Sequence, residues 1–144
     1  MIPDKYPHKL PKAILFFFFF TLVESWETVF EAINTALHAV GRLPLTIEDF
    51  WERPHHSMRD TAVELFGDLA EKGERVFYEY VTKTHLENLK ILEGADNLLT
   101  TLKNQGIYLG IVSNKDGHHL RKEVNHLGWE SHFTQIIGAR DTDA

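Results

Sequence analysis

Ser113 and Asn114 directly follow an apolar run at residues 107–112 and precede Lys115 and a helical pattern. A hydroxyl, a side-chain amide and the backbone N–H groups that open a helix are donors suited to a small anion such as phosphate. An ordinary helix-capping turn uses the same residue types and needs no ligand. Arg59 is a second candidate, because a guanidinium takes a carboxylate through two parallel hydrogen bonds. A surface ion pair is its plainer role. His55-His56 and His118-His119 are adjacent pairs whose side chains diverge, and no carboxylate or cysteine set stands with them. They read as solvated loop residues. The chain has no cysteine, which excludes a thiolate nucleophile, a cysteine zinc site and a disulfide framework.

The elements that must position these groups start with the run KAILFFFFFTLVES, apolar over residues 13–23 and closed by Glu24 and Ser25. A continuous apolar run after Pro11 suits a strand covered on both faces, as in the centre of a parallel sheet. It is too short to cross a bilayer, which takes about 20 residues as a helix. With Lys5, Lys9 and Lys12 in front it also matches the length of a signal-peptide core, although no small-x-small cleavage pattern follows. Residues 1–11 form a polar arm with three prolines.

From Ser25 the period becomes helical. Trp26, Val29, Phe30, Ile33, Ala36, Leu37 and Val40 share a stripe that Gly41 stops, with Ser25 as N-cap. Thr46 caps a short helix ending before Pro54, residues 58–66 form a third, and Asp68 opens a fourth that runs through Leu86 and Leu89 and is weakened by Gly73. Trp26, Phe30, Phe77 and Tyr80 read as the core of this helical block. A helix at 97–103, the strand at 107–112, a helix at 119–127 and a strand at 134–137 complete the pattern. Helices between successive strands require parallel pairing and right-handed crossovers. The fold class is therefore α/β: a Rossmann-like parallel sheet of three strands with an inserted all-helical cap. Residues 1–24 and 91–144 form the partial core, and 25–90 the cap.

The net charge of -6 comes without a basic block or stripe, which argues against nucleic acid and against an anionic membrane surface as partners. With 43% hydrophobic residues in 144 the chain can bury a core, and a cytoplasmic location follows from the lack of cysteine.

At this level the chain resembles the haloacid dehalogenase-like phosphatases, in the phosphoglycolate phosphatase branch with a helical cap after the first motif. That motif reads D-x-D-G-T-L-h-D-S after a hydrophobic strand. Here Phe17 and Phe19 stand at the two aspartate positions and Phe20 at the glycine, while Thr21, Leu22 and Ser25 match. LGIVSNK resembles the second motif, with Ser113 as the phosphate-binding hydroxyl beside Asn114. Leu92, Glu93, Gly94 and Ala95 resemble the return from the cap, and HLGWESHF with IIGARD the segment before the third motif.

The resemblance implies hydrolysis of a small phosphomonoester such as phosphoglycolate, with Mg²⁺ held partly by the first aspartate, which attacks phosphorus, while the second serves as acid and base. Phenylalanine does neither, and the chain ends before the family's lysine and acidic motif. The expectation is a catalytically disabled scaffold with no cofactor. Its alternatives are a pseudoenzyme that binds a phosphorylated molecule through Thr21, Ser113 and Asn114, or binds a partner, and a secreted helical protein with residues 1–24 as signal peptide. Two structural expectations follow from the same comparison. Phe20 resists the positive φ of a glycine turn, so the strand should run one or two residues further, with Phe17 or Phe19 filling the phosphate pocket. The first strand should also present an apolar open edge through which chains self-associate.

Overall fold

The computed structural model describes residues 9–54 and 56–142. Strand β1 (Ala13–Phe17) runs parallel to β4 (Tyr108–Asp116), which runs parallel to β5 (Gln135–Ala139), in the order β1-β4-β5. The register pairs Ala13 with Tyr108 and Phe17 with Val112, then Val112 with Ile137. Two short strands, β2 (Val23–Glu24) and β3 (Lys90–Ile91), form an antiparallel ribbon that period counting does not find, because two residues carry no period.

The helices fall where the stripes and their punctuation put them. They are α1 (Trp26–Ala39), α2 (Ile47–Glu52), α3 (Met58–Phe66), α4 (Ala70–Thr84), α5 (Ala95–Asn104) and α6 (Gly117–His126). Thr46 and Asp49 form a reciprocal capping box at α2, and the Ser57 hydroxyl accepts from the Asp60 N–H at α3. Ser25 does stand at the N-cap of α1, yet its hydroxyl caps nothing and is buried without a hydrogen-bond partner among the described residues. The fourth helix ends at Thr84, so Leu86 and Leu89 lie beyond it, and a 3₁₀ turn (Gly67–Leu69) replaces its expected start at Asp68. Gly73 has a packing reason: a Cβ there would collide with the Phe66 ring, so the missing side chain lets α3 and α4 approach.

Two apolar clusters result. Phe18, Leu22, Leu99, Leu109, Ile111 and Trp129 belong to the one beside the sheet, where the Trp129 Nε1–H donates to Asp96 Oδ1 at 2.9 Å. Ile33, Leu37, Phe50, Phe66, Phe77 and Val81 belong to the one inside α1 to α4, with Trp26, Phe30 and Tyr80 partly buried against it. The Tyr80 hydroxyl donates to Glu31 Oε2 at 2.5 Å.

The expectation of a strand covered on both faces is not met. Ile14 and Phe16 pack into the sheet-side cluster, whereas Leu15 and Phe17 are 71% and 72% exposed, and Tyr108 beside them 67%. Because β1, β4 and β5 are added in one direction, right-handed crossovers carry α5 and α6 to the same face. The opposite face has no covering element among the described residues. Gly110 lies on it, and a Cβ there would meet Leu15 at 2.6 Å, so Leu15 lies across the glycine.

The expected strand extension also fails. β1 stops at Phe17, the Leu22 and Val23 N–H groups both donate to the Phe18 carbonyl, and Phe20 takes φ +60°. The turn keeps its left-handed residue although glycine is absent, because these hydrogen bonds and the burial of Phe18, Leu22 and Val23 over-determine the backbone. In the left-handed region a side chain costs about 1 to 2 kcal/mol relative to glycine. Phe20→Gly and Phe20→Ala both lose the ring contacts to Phe19 and Trp51, but only glycine relieves the backbone. In urea titrations Phe20→Gly is therefore expected to be the more stable of the two by about 1 kcal/mol, the reverse of their order in a strand. Alanine matching or exceeding glycine would refute the left-handed turn.

Candidate functional site

A cavity of about 290 Å³ lies between the helical block and the carboxyl ends of β1 and β4, the place where open parallel sheets take ligands. Its walls are mostly hydrocarbon: residues 17–20, Ile33, Phe50, Met58 and Phe77 line it. Phe17 and Phe19 thus line the cavity rather than fill it. Phe19 and Phe20 meet edge to face at 5.1 Å, and Phe20 tilts against Trp51 at 5.7 Å, separations at which ring quadrupoles attract.

Of the residues singled out from the sequence, Ser113 and Asn114 reach this cavity, as do Phe17, Phe19, His56 and His119. Thr21 is exposed on the turn and Arg59 exposed on α3, both outside the lining. The arginine of the helical block that does line it is Arg53, ion-paired with Glu64 at 2.6 Å. The polar stretch 113–116 is strand rather than loop, with a register shift against β5 between Val112 and Asp116. The capping role falls to Asp116, whose carboxylate accepts from the His119 N–H. An anion at the start of α6 would meet that carboxylate in its place. The Ser113 hydroxyl accepts from the Lys115 N–H at 3.1 Å, leaving its own proton to donate.

A group of titratable residues behind the cavity was not legible in the sequence. Glu123 is fully buried and accepts from Lys115 Nζ at 2.6 Å. His85 Nδ1 lies 3.3 Å from the same oxygen but is not aligned for a hydrogen bond, so that contact is electrostatic. His119, expected as a solvated loop residue, is buried on α6: Asp116 Oδ2 is 3.0 Å from its Nδ1 and Thr82 Oγ1 is 2.9 Å from its Nε2. Burial, only partly opposed by Asp116, pushes the imidazole below its usual range, favouring the neutral ring. Tyr78 stacks on that ring, and burial pushes its phenol up to about 12. The available signal was the spacing of Asp116, His119 and Glu123, which puts all three on one face of α6 beside Leu120 and Val124. His55 lies outside the described residues, and among the described residues no group of three or more His, Asp or Glu is placed to hold a metal ion.

Magnesium does not fit this site. The side chains at positions 17 and 19 have no oxygen, and Lys115 Nζ already sits 4.9 Å from the centre of the Phe19 ring, so a second cation there would meet an ammonium and two hydrocarbon rings.

The sequence matches the profile of the family described as haloacid dehalogenase-like hydrolase over residues 14–144. It is 24% identical over 137 residues to the phosphoglycolate phosphatase of Psychrobacter arcticus, covering 87% of this chain and 60% of that protein. In structure it is similar to a predicted phosphoglycolate phosphatase from Haemophilus somnus, with a TM-score of 0.77 at 24% identity, covering 92% of this chain and 64% of the other. A Mycobacterium tuberculosis protein tyrosine kinase A is similar at a TM-score of 0.79 and 21% identity, covering 92% and 61%. The chain thus spans less than two thirds of the length of each of these relatives, and the structural likenesses speak to fold. No helix among the described residues is long and apolar enough to cross a membrane.

Proposed function

Because the chain belongs to the haloacid dehalogenase-like hydrolases, we propose that it carries the scaffold of a small-phosphomonoester phosphatase without that enzyme's chemistry, its helical block serving as a cap over the cavity and its setting cytoplasmic. One observation carries this reading. The residues in register with the family's two aspartates are Phe17 and Phe19, and both present only carbon to the cavity. Without an oxygen there is no nucleophile for phosphorus and no acid or base for the leaving group, and acid-base help alone is worth about 10²- to 10⁴-fold. The buried His119 does not take the second aspartate's place, since both its ring nitrogens are already engaged.

The alternative in which phosphate is still held draws less support, because Thr21 lies outside the cavity and Lys115 is already engaged by Glu123. The secretory alternative also draws little: Phe18, Leu22 and Val23, within the proposed signal segment, are buried in the sheet-side core.

Purified protein is expected to release no detectable p-nitrophenol from p-nitrophenyl phosphate with Mg²⁺. Magnesium-dependent turnover that persists through successive columns, co-eluting with the protein, would overturn the reading.

A further inference from the structure

The cavity still exists although the chemistry it served is gone, and its walls define what it accepts. We infer that it binds a small neutral aromatic molecule of one or two fused rings bearing one hydrogen-bond acceptor, and that it discriminates against phosphate esters. The inference rests on the reading that Phe17 and Phe19 have replaced the phosphate chemistry.

Four observations carry it. The volume, about 290 Å³, lies at the small end of ligand sites and matches a compact ring system. The rings of Phe19 and Phe20 stand edge to face at the cavity, an arrangement that offers a third ring both a face and an edge. The cationic groups that line it are already matched: Lys115 by Glu123 at 2.6 Å, and Arg53 by Glu64 at 2.6 Å. A phosphate dianion would have to desolvate against hydrocarbon and beside the Asp116 carboxylate, which also lines the cavity. The Ser113 hydroxyl, which accepts from the Lys115 N–H, keeps its proton to donate to an acceptor on the ligand.

The test uses a matched pair, naphthol and naphthyl phosphate, with inorganic phosphate as a third ligand. Affinities are measured by calorimetry, and the site is located through the labelled methyl group of Met58. The sequence holds two methionines, Met1 and Met58, and Met58 lines the cavity. Naphthol is expected to bind at least about tenfold more tightly than its phosphate ester, a difference of about 1.4 kcal/mol, and to shift the Met58 methyl resonance. Phe19→Asp is expected to weaken naphthol by about tenfold or more, because a carboxylate would then face the ring. Should that variant not fold, Val29→Phe, which intrudes on the cavity from α1, is expected to abolish the Met58 shift.

Ester or inorganic phosphate binding as tightly as naphthol would overturn the inference, as would naphthol binding that leaves Met58 unmoved. Release of naphthol from the ester with Mg²⁺ would instead sink the proposal of lost catalysis. The two failures are therefore distinguishable.

Discussion

Replacing Glu123 by alanine is expected to destabilise the protein by about 3 to 5 kcal/mol, the usual cost of leaving one member of a buried ion pair without its partner. Glu123 has no exposed surface, and Lys115, whose side chain is 13% exposed, donates to it at 2.6 Å. Without the carboxylate, Lys115 beside the Phe19 ring loses the group that compensates for its desolvation. His85 loses its nearest anion as well. The effect should be non-additive: Lys115→Met combined with Glu123→Leu removes both charges at similar volume and is expected to recover most of the stability. Urea titrations of the two single variants and the double variant form the cycle. If Glu123→Ala costs less than about 1 kcal/mol, the pair is solvated and the buried geometry is wrong.

Self-association is the second result expected to be large. Among the described residues β1 stands at the edge of the sheet, paired on one side only, and it carries no charge from Ala13 to Phe17. Its exposed side chains Leu15 and Phe17 continue into Tyr108 and Val112 on the next strand, so an open hydrogen-bonding edge and an apolar face coincide. An uncharged edge of this kind pairs with a second copy of itself, since each chain offers the N–H and C=O groups that the other lacks. Light scattering behind size-exclusion chromatography is expected to show a mass that rises with protein concentration. Leu15→Lys with Phe17→Lys is expected to return it to the monomer. Phe19 is the weaker target, because it lies beyond the end of β1 and is half-buried, whereas Phe17 stands on β1 and is 72% exposed. A wild-type protein that stays monomeric at high micromolar concentration would show that this edge is not available for pairing.

What could be read without a structure was local. The stripes of α1 to α3, the Thr46 cap and the stop at Gly41 depend on residues within a few positions of one another, and each stood where its spacing required. The family resemblance was also local, carried by Thr21, Leu22, Ser25 and Ser113. The two-sided burial of β1 was misjudged because an apolar run reports what a strand could bury. Crossover handedness then put α5 and α6 on one face and left Leu15 and Phe17 bare. Phe20 was misjudged for a related reason. Intrinsic preference opposes φ +60° in phenylalanine, but hydrogen bonds from Leu22 and Val23 to the Phe18 carbonyl outweigh it once that segment is buried. The network behind the cavity joins Thr82 to His119 and His85 to Glu123, 37 and 38 positions apart in sequence. Such pairings depend on how α4 lies beside α6, which no pattern along the chain encodes. The residue types and their periods thus determined the elements, while tertiary packing alone decided which face is open, which turn is strained, and which charges are buried together.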